Sequence, residues 1–214
     1  MFRQLYLSPL GRAISIVMNM LASLQRPFVA YGCRDRVSGR FRKRTRISSA
    51  ATFIDRGSIA IDDNVWIGHY CHIDGSGGVT IGEGVQMATW SGILSHGSQD
   101  AIRLCGRRYI EIKAALRPGY TLAPVTIGAF SFVGAGAIVL PGVTVGRGCR
   151  IDAGAIVTHD VADFAIVRGI PARVVGDVRT GDAAYFGDVT VREAYFDPQA
   201  MRDWTARGGG DPVT

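Results

Sequence analysis

Residues 125–157 read VTIGAFSFVGAGAIVLPGVTVGRGCRIDAGAIV, with Ile127, Val133, Val139, Val145, Ile151 and Val157 at every sixth position. Upstream, the same spacing runs through Ile61, Ile67 and Ile73, then through Ile81, Met87 and Ile93. A helix repeats near 3.6 residues and a half-buried strand near 2, so a period of six belongs to neither. It fits a solenoid in which three short strands complete one coil of about 18 residues. The fourth position after each aliphatic slot is small or branched, as at Val65, Cys71, Val85, Ala137 and Ala155. The position directly after the slot is often Gly or Asp, as at Asp62, Gly68, Asp74, Gly128 and Asp152. The aliphatic side chains are expected to stack in a narrow three-sided interior, with the small residues at crowded corners. Each buried Ile or Val is worth roughly 1.5–3 kcal/mol, so the stack carries much of the stability.

The phase breaks twice. Ile73 to Ile81 spans eight residues, which predicts a bulged corner near Ser76-Gly77-Gly78. After Ile93 the phase is lost until Ile127, which predicts an inserted loop over 97–124. A loop this long inside a compact repeat is usually functional. It is basic, with Arg103, Arg107, Arg108, Lys113 and Arg117 against Asp100 and Glu111. The expected organisation is an N-terminal amphipathic helix or cap over 1–30, a β-helix over 31–176, and a C-terminal extension over 177–214. That extension is expected to be partly flexible, most of all at Gly208–Gly210. On the first helix Ile14, Val17, Met18, Leu21 and Leu24 share one face. The apolar run is too short to cross a bilayer. It reads as a packed cap on the solenoid end, an interfacial membrane helix or a signal peptide.

The chain of 214 residues carries a net charge of +6, unevenly placed. Residues 1–46 hold ten basic side chains and one acid, Asp35. Such a front end suits anionic lipid headgroups or a phosphorylated, lipid-linked substrate. It equally suits a solvated basic strand edge that discourages unwanted pairing. No recognised module or aromatic stacking platform points to nucleic acid. The four cysteines lack metal-ligand spacing, and Cys71 and Cys149 occupy small-residue slots. Cys71 and Cys149 read as buried thiols, and nothing calls for disulfides, which suits a reducing cytoplasm, at the inner face of the membrane if residues 1–46 meet lipid.

The repeated [Ile/Val]-[Gly/Asp]-x-x-[small]-x pattern resembles the hexapeptide-repeat acyltransferases. The carrying segments are Val79–Gly82, His96, Val125–Gly128, Val139–Gly146, Ile151–Thr158 and Gly169–Val174. The likeness covers about residues 60–176 and is nearest to galactoside/maltose and polysaccharide O-acetyltransferases. It implies an all-β fold: a left-handed parallel β-helix with an N-terminal helix, a long inserted loop and a C-terminal extension. It also implies acetyl transfer from acetyl-CoA, no metal cofactor, a sugar or glycan acceptor, and a homotrimer whose active sites lie in grooves between neighbouring copies.

The resemblance makes His96 the catalytic base. Free imidazole titrates near pH 6.5, so at neutral pH it can take a proton from a sugar hydroxyl. A partner must fix its tautomer; Asp100, Asp74 or a backbone carbonyl are the candidates. By the same resemblance Phe132, Ala135, Ala153, Thr158, His159 and Arg173 line the CoA groove. Phe132 stands where the family commonly has Trp, and His159 where it has Lys. Tyr70 and Trp90 are candidates to stack on the acceptor sugar. Both also read as exposed aromatics at a trimer contact. Competing expectations are N-acetylation of an amino-sugar nucleotide, a non-catalytic solenoid scaffold, or a zinc enzyme like the gamma-type carbonic anhydrases using His69, His72 and His96.

Overall fold

The computed structural model describes residues 8–24 and 26–206. Residues 61–167 wind into a three-faced parallel β-helix, and the faces follow the six-residue period. The first face stacks Phe41–Ser48, Trp66–Ile67, Gln86–Met87, Phe132–Val133, Arg150–Ile151 and Ala165–Arg168. The second stacks Thr52–Ile54, His72–Asp74, Gly92–Leu94, Ile138–Val139 and Ile156–Val157. The third stacks Ile59–Ile61, Val79–Ile81, Val125–Ile127 and Thr144–Val145. Slot residues meet one another across each ladder: Ile73 pairs Ile93, which pairs Val139, which pairs Val157. All twelve slot residues are buried, none more than 2% exposed. The coil begins earlier than the regular phase suggests, because Ile47 already pairs Ile67 and Phe53 pairs Ile73.

Tight corners explain the Gly that follows so many slots. A Cβ on Gly128 would stand 2.4 Å from the Gly146 carbonyl carbon of the next coil, where backbone cannot yield. The two expected phase breaks share one corner, that between the second and third faces. There the chain crosses at 75–78 in one coil and leaves as the inserted segment in the next.

The flanks are not strand alone. Pro9–Leu24 is an α-helix, entered through Ser8, whose Oγ accepts from Gly11 N at 3.1 Å, with Pro in the first turn where its missing donor is harmless. Its apolar face does not cap the solenoid within the chain: Ile14, Val17, Met18 and Leu21 are 45–57% exposed. The first coil is closed instead by the antiparallel hairpin of Val29–Arg34 with Phe41–Ser48. Its turn buries Asp35, whose Oδ1 accepts from Ile61 N at 3.1 Å.

At the other end Arg173–Asp177 folds back antiparallel on Ala165–Arg168. Helices Val178–Asp182, Val189–Ala194 and Pro198–Ala206 follow. They dock through aromatics: Phe196 lies 5.0 Å from Phe130 and 6.0 Å from Phe164, ring centre to ring centre. Phe186 meets Tyr195 and Trp204 edge-on. The extension thus packs on the solenoid as far as residue 206. Gly208–Gly210 and Arg3 lie outside the described residues.

Candidate active site

Ser95 and His96 leave the second face just after the Gly92–Leu94 strand. His96 and Gly97 pair antiparallel with Leu122 and Thr121, closing the base of the inserted segment. That hairpin holds the imidazole at a corner, with its side chain 32% exposed.

One coil below lies Asp74, fully buried. Its carboxylate receives His96 Nδ1, Ser95 N at 3.3 Å, and Ser76 N and Oγ at 3.1 and 2.6 Å. Burial pushes the Asp74 carboxyl up, but the hydrogen bonds from Ser76 and His96 outweigh it and hold it below the ordinary carboxylate range. An ionised carboxylate only accepts. His96 Nδ1 therefore carries a proton in this contact, and Nε2 is the ring nitrogen left without a protein partner among the described residues. The bulged corner makes this possible: Gly77 N donates to Ser95 Oγ at 2.8 Å, and Ser95 Oγ donates to the Asp74 carbonyl at 2.6 Å. Gly77 itself has no room for a side chain, since a Cβ would meet the Ser95 carbonyl oxygen at 2.3 Å.

Asp100, the other carboxylate considered for orienting His96, is engaged by Arg103 at the start of the Ala101–Cys105 helix. The structure brings Asp74 to the ring and not Asp100. Tyr120, which sequence reasoning passed over, stacks on the imidazole with ring centres 5.8 Å apart and planes at 20°.

The remaining candidates divide between two edges of the second face. Thr158 and His159 share the corner of His96, two coils on, and their Oγ1 and Nδ1 lie 2.8 Å apart. Tyr70, Trp90, Ala135 and Ala153 form a column at the opposite corner, where the first face turns into the second. Tyr70 and Trp90 stack with centres 6.3 Å apart and are 51% and 67% exposed. Both are left-handed, at φ 60° and 62°, where the later coils place Gly136 and Gly154. Holding a side chain there costs about 1 kcal/mol or more, so the aromatics are kept against the local preference. Phe132 projects exposed from the first face between Gln86 and Arg150. Arg173 is exposed and donates to the Ala172 carbonyl at 2.9 Å. In a single chain none of the opposite column reaches His96.

The three histidines of the zinc alternative do not converge: His69 Nδ1 lies 2.6 Å from Ser48 Oγ, whereas His96 is bound to Asp74. Among the described residues no three His, Cys, Asp or Glu side chains are placed to share an ion.

A family model, the hexapeptide repeat of succinyl-transferase, matches residues 124–159. Residues 124–159 thus carry a hexapeptide repeat. Among curated relatives, the galactoside O-acetyltransferase of Escherichia coli K12 is 36% identical over 63 residues, 29% of this chain and 31% of that enzyme. The 2,3,4,5-tetrahydropyridine-2,6-dicarboxylate N-acetyltransferase of Staphylococcus aureus JH9 is 49% identical over 53 residues, 25% of this chain and 22% of that enzyme. The chain spans under a third of either relative's length. A solved hexapeptide-repeat acetyltransferase of Vibrio cholerae, complexed with acetyl coenzyme A, superposes with a TM-score of 0.50. It is 21% identical and covers 59% of this chain and 64% of that one, a likeness of fold.

Asp74→Asn tests the local electrostatics. A carboxyl whose folded pKa is lowered adds stability that is complete above the unfolded value, about 3.9, and lost as pH falls through the folded value. The stability gap between wild type and Asp74→Asn, read by urea unfolding, is therefore expected to narrow as pH falls from about 5 to about 2. A gap that widens with acid would contradict an ionised Asp74.

Proposed function

We propose that this protein is an acetyl-CoA-dependent acyltransferase that esterifies a hydroxyl of a sugar or surface-polysaccharide precursor. The observation that carries the reading is the buried, ionised Asp74 on His96 Nδ1, which leaves Nε2 as a base on the exposed side. Nε2 takes the proton of the acceptor hydroxyl as its oxygen attacks the thioester carbonyl carbon. The tetrahedral intermediate collapses by breaking the C–S bond, and the imidazolium returns the proton to the departing CoA sulfur. Atoms and charge balance without a metal or redox partner. In this role Asp74 is a positioning residue, and Asp74→Asn is expected to lower kcat by about 10²–10⁴, as loss of an orienting carboxylate does.

A homotrimer wound left-handed, as the family resemblance implies, would bring the two columns of the second face together between neighbouring copies. The column of Ala135 and Ala153 on one copy, with Phe132 and Arg173, would flank CoA in a groove closed by the next copy's corner of His96, Thr158 and His159. Tyr70 and Trp90 would offer aromatic faces to the sugar. The similarity to an N-acetyltransferase favours a second reading, transfer to an amine, for which an amino-sugar nucleotide is the acceptor we propose. Base treatment of the isolated product separates the two: an ester hydrolyses and an amide persists. A base-stable product would replace O-transfer with N-transfer.

The same proposal places the protein at a membrane surface through residues 1–46. No described helix is long and apolar enough to cross a membrane. Pro9–Leu24 instead presents exposed Ile14, Val17, Met18 and Leu21. The neighbouring hairpin adds exposed Arg34, Arg36, Arg40 and Lys43, the charge an anionic lipid surface attracts. Removing residues 1–46 is a poor test, because Phe41–Ser48 belongs to the first coil. The double substitution Val17→Asp and Leu21→Asp spares that coil. The full chain is expected to co-sediment with phosphatidylglycerol vesicles and the variant to stay in the supernatant. Equal partition, or loss of trimer with vesicle binding intact, would assign the helix elsewhere.

A further inference from the structure

We propose that Arg117 gives the site a preference for acceptors bearing an anionic group, a carboxylate or a phosphate ester, near the hydroxyl that is acetylated. This rests on the reading of His96 as the base. Arg117 lies where the inserted segment returns to the solenoid. Its Nε donates to the carbonyls of Tyr109 and Ile112 at 2.9 and 2.8 Å. Its guanidinium carbon sits 4.0 Å from the centre of the Tyr109 ring and 5.7 Å from that of Tyr120. Tyr120 stacks in turn on His96. One tyrosine ring therefore separates the guanidinium from the imidazole.

The side chain is half-buried and already fixed, so little rotamer entropy remains to be lost when a ligand binds. Among the described residues no hydrogen bond or ion pair engages Nη1 or Nη2, because both contacts use Nε. The acids of the segment are committed elsewhere: Asp100 to Arg103, and Glu111 to Arg108 at 3.5 Å. Exposed Arg107 and Lys113 add positive potential on the same segment. A planar guanidinium with its terminal amines free matches carboxylate and phosphate oxygens in pairs. An acceptor with hydroxyls alone leaves that fork to water. Phosphates of CoA are the rival ligand, and the rival predicts a change in the donor constant instead.

The test is thiol release from acetyl-CoA with matched acceptors: a neutral hexose, a hexuronic acid and a hexose 1-phosphate. Wild type is expected to favour at least one anionic acceptor by about tenfold or more in kcat/KM, with the excess shrinking as salt rises. Which acid is favoured identifies carboxylate or phosphate. Arg117→Gln is expected to lower the anionic-to-neutral ratio about ten- to a hundredfold, and Arg117→Lys to keep part of it. The ratio is internal to each preparation, so partial misfolding does not alter it. Equal wild-type kcat/KM for neutral and anionic acceptors, or a ratio unmoved by Arg117→Gln, overturns the proposal. So does a raised acetyl-CoA KM with the ratio intact. Those outcomes leave His96 as the base untouched, whereas no release with any acceptor would sink both.

Discussion

His96→Ala is expected to lower kcat by about 10²–10⁴, the usual contribution of a positioned general base. In energy that is about 3–5 kcal/mol removed from the transition state. The fold should survive, and two effects decide this. The imidazole is partly exposed, so its loss opens no sealed cavity. Asp74 loses one donor but keeps Ser76 N, Ser76 Oγ and Ser95 N. Losing one donor to a buried carboxylate costs about 1–3 kcal/mol, which lowers the melting temperature without unfolding the stack. Because the ring acts as oxygen attacks, the loss should appear in kcat and not in KM for acetyl-CoA. Steady-state rates beside a thermal melt separate the two. An unfolded His96→Ala would shift the residue from chemistry to structure.

Ile151→Asp should have the largest effect on stability. Ile151 is fully buried, between Val133 in one coil and Val167 in the next. Both strand partners are aliphatic and offer a carboxylate no hydrogen bond, and an unpaired buried charge is among the few causes of losses above about 4 kcal/mol. The carboxyl would be forced neutral or the coil would open. Ile151→Val removes one methylene and is expected to cost only about 0.5–1.5 kcal/mol. Denaturant unfolding of the pair checks the contrast. A mild Ile151→Asp would mean the hollow admits water, and the stacked slots would not be the source of stability.

The solenoid was legible because its core is periodic. Each coil repeats the same demand, and Ile127, Val133 and Val139 answer it at a fixed spacing. The site is less legible because it is built where the period fails. The bulge at Ser76–Gly78 and the inserted segment are both visible in the sequence as phase breaks. Counting coils would have put them at one corner, and with them Asp74, Ser76 and Ser95 beneath His96. Tyr120 and Arg117 left no such signal. Tyr120 reaches the imidazole, and Arg117 lies behind it, through an antiparallel return, His96 with Leu122 and Gly97 with Thr121, which no repeat encodes. The first helix misled in a different way. Its amphipathic pattern says that Val17 and Leu21 share a face, but not what covers it. The C-terminal helices were hidden for a related reason: Phe196 docks on Phe130 and Phe164, aromatics set at positive-φ corners whose partner lies far along the chain.

The most direct measurement is CoA thiol release by the purified full chain across mono- and oligosaccharides and nucleotide sugars, with His96→Ala and Asp74→Asn run beside wild type. The predicted result is acceptor-dependent release by wild type that falls at least a hundredfold in His96→Ala, with acetyl-CoA still bound. Release that His96→Ala matches, or acetyl-CoA bound by wild type and never turned over on any acceptor, would contradict a buried carboxylate and an exposed imidazole acting as the base.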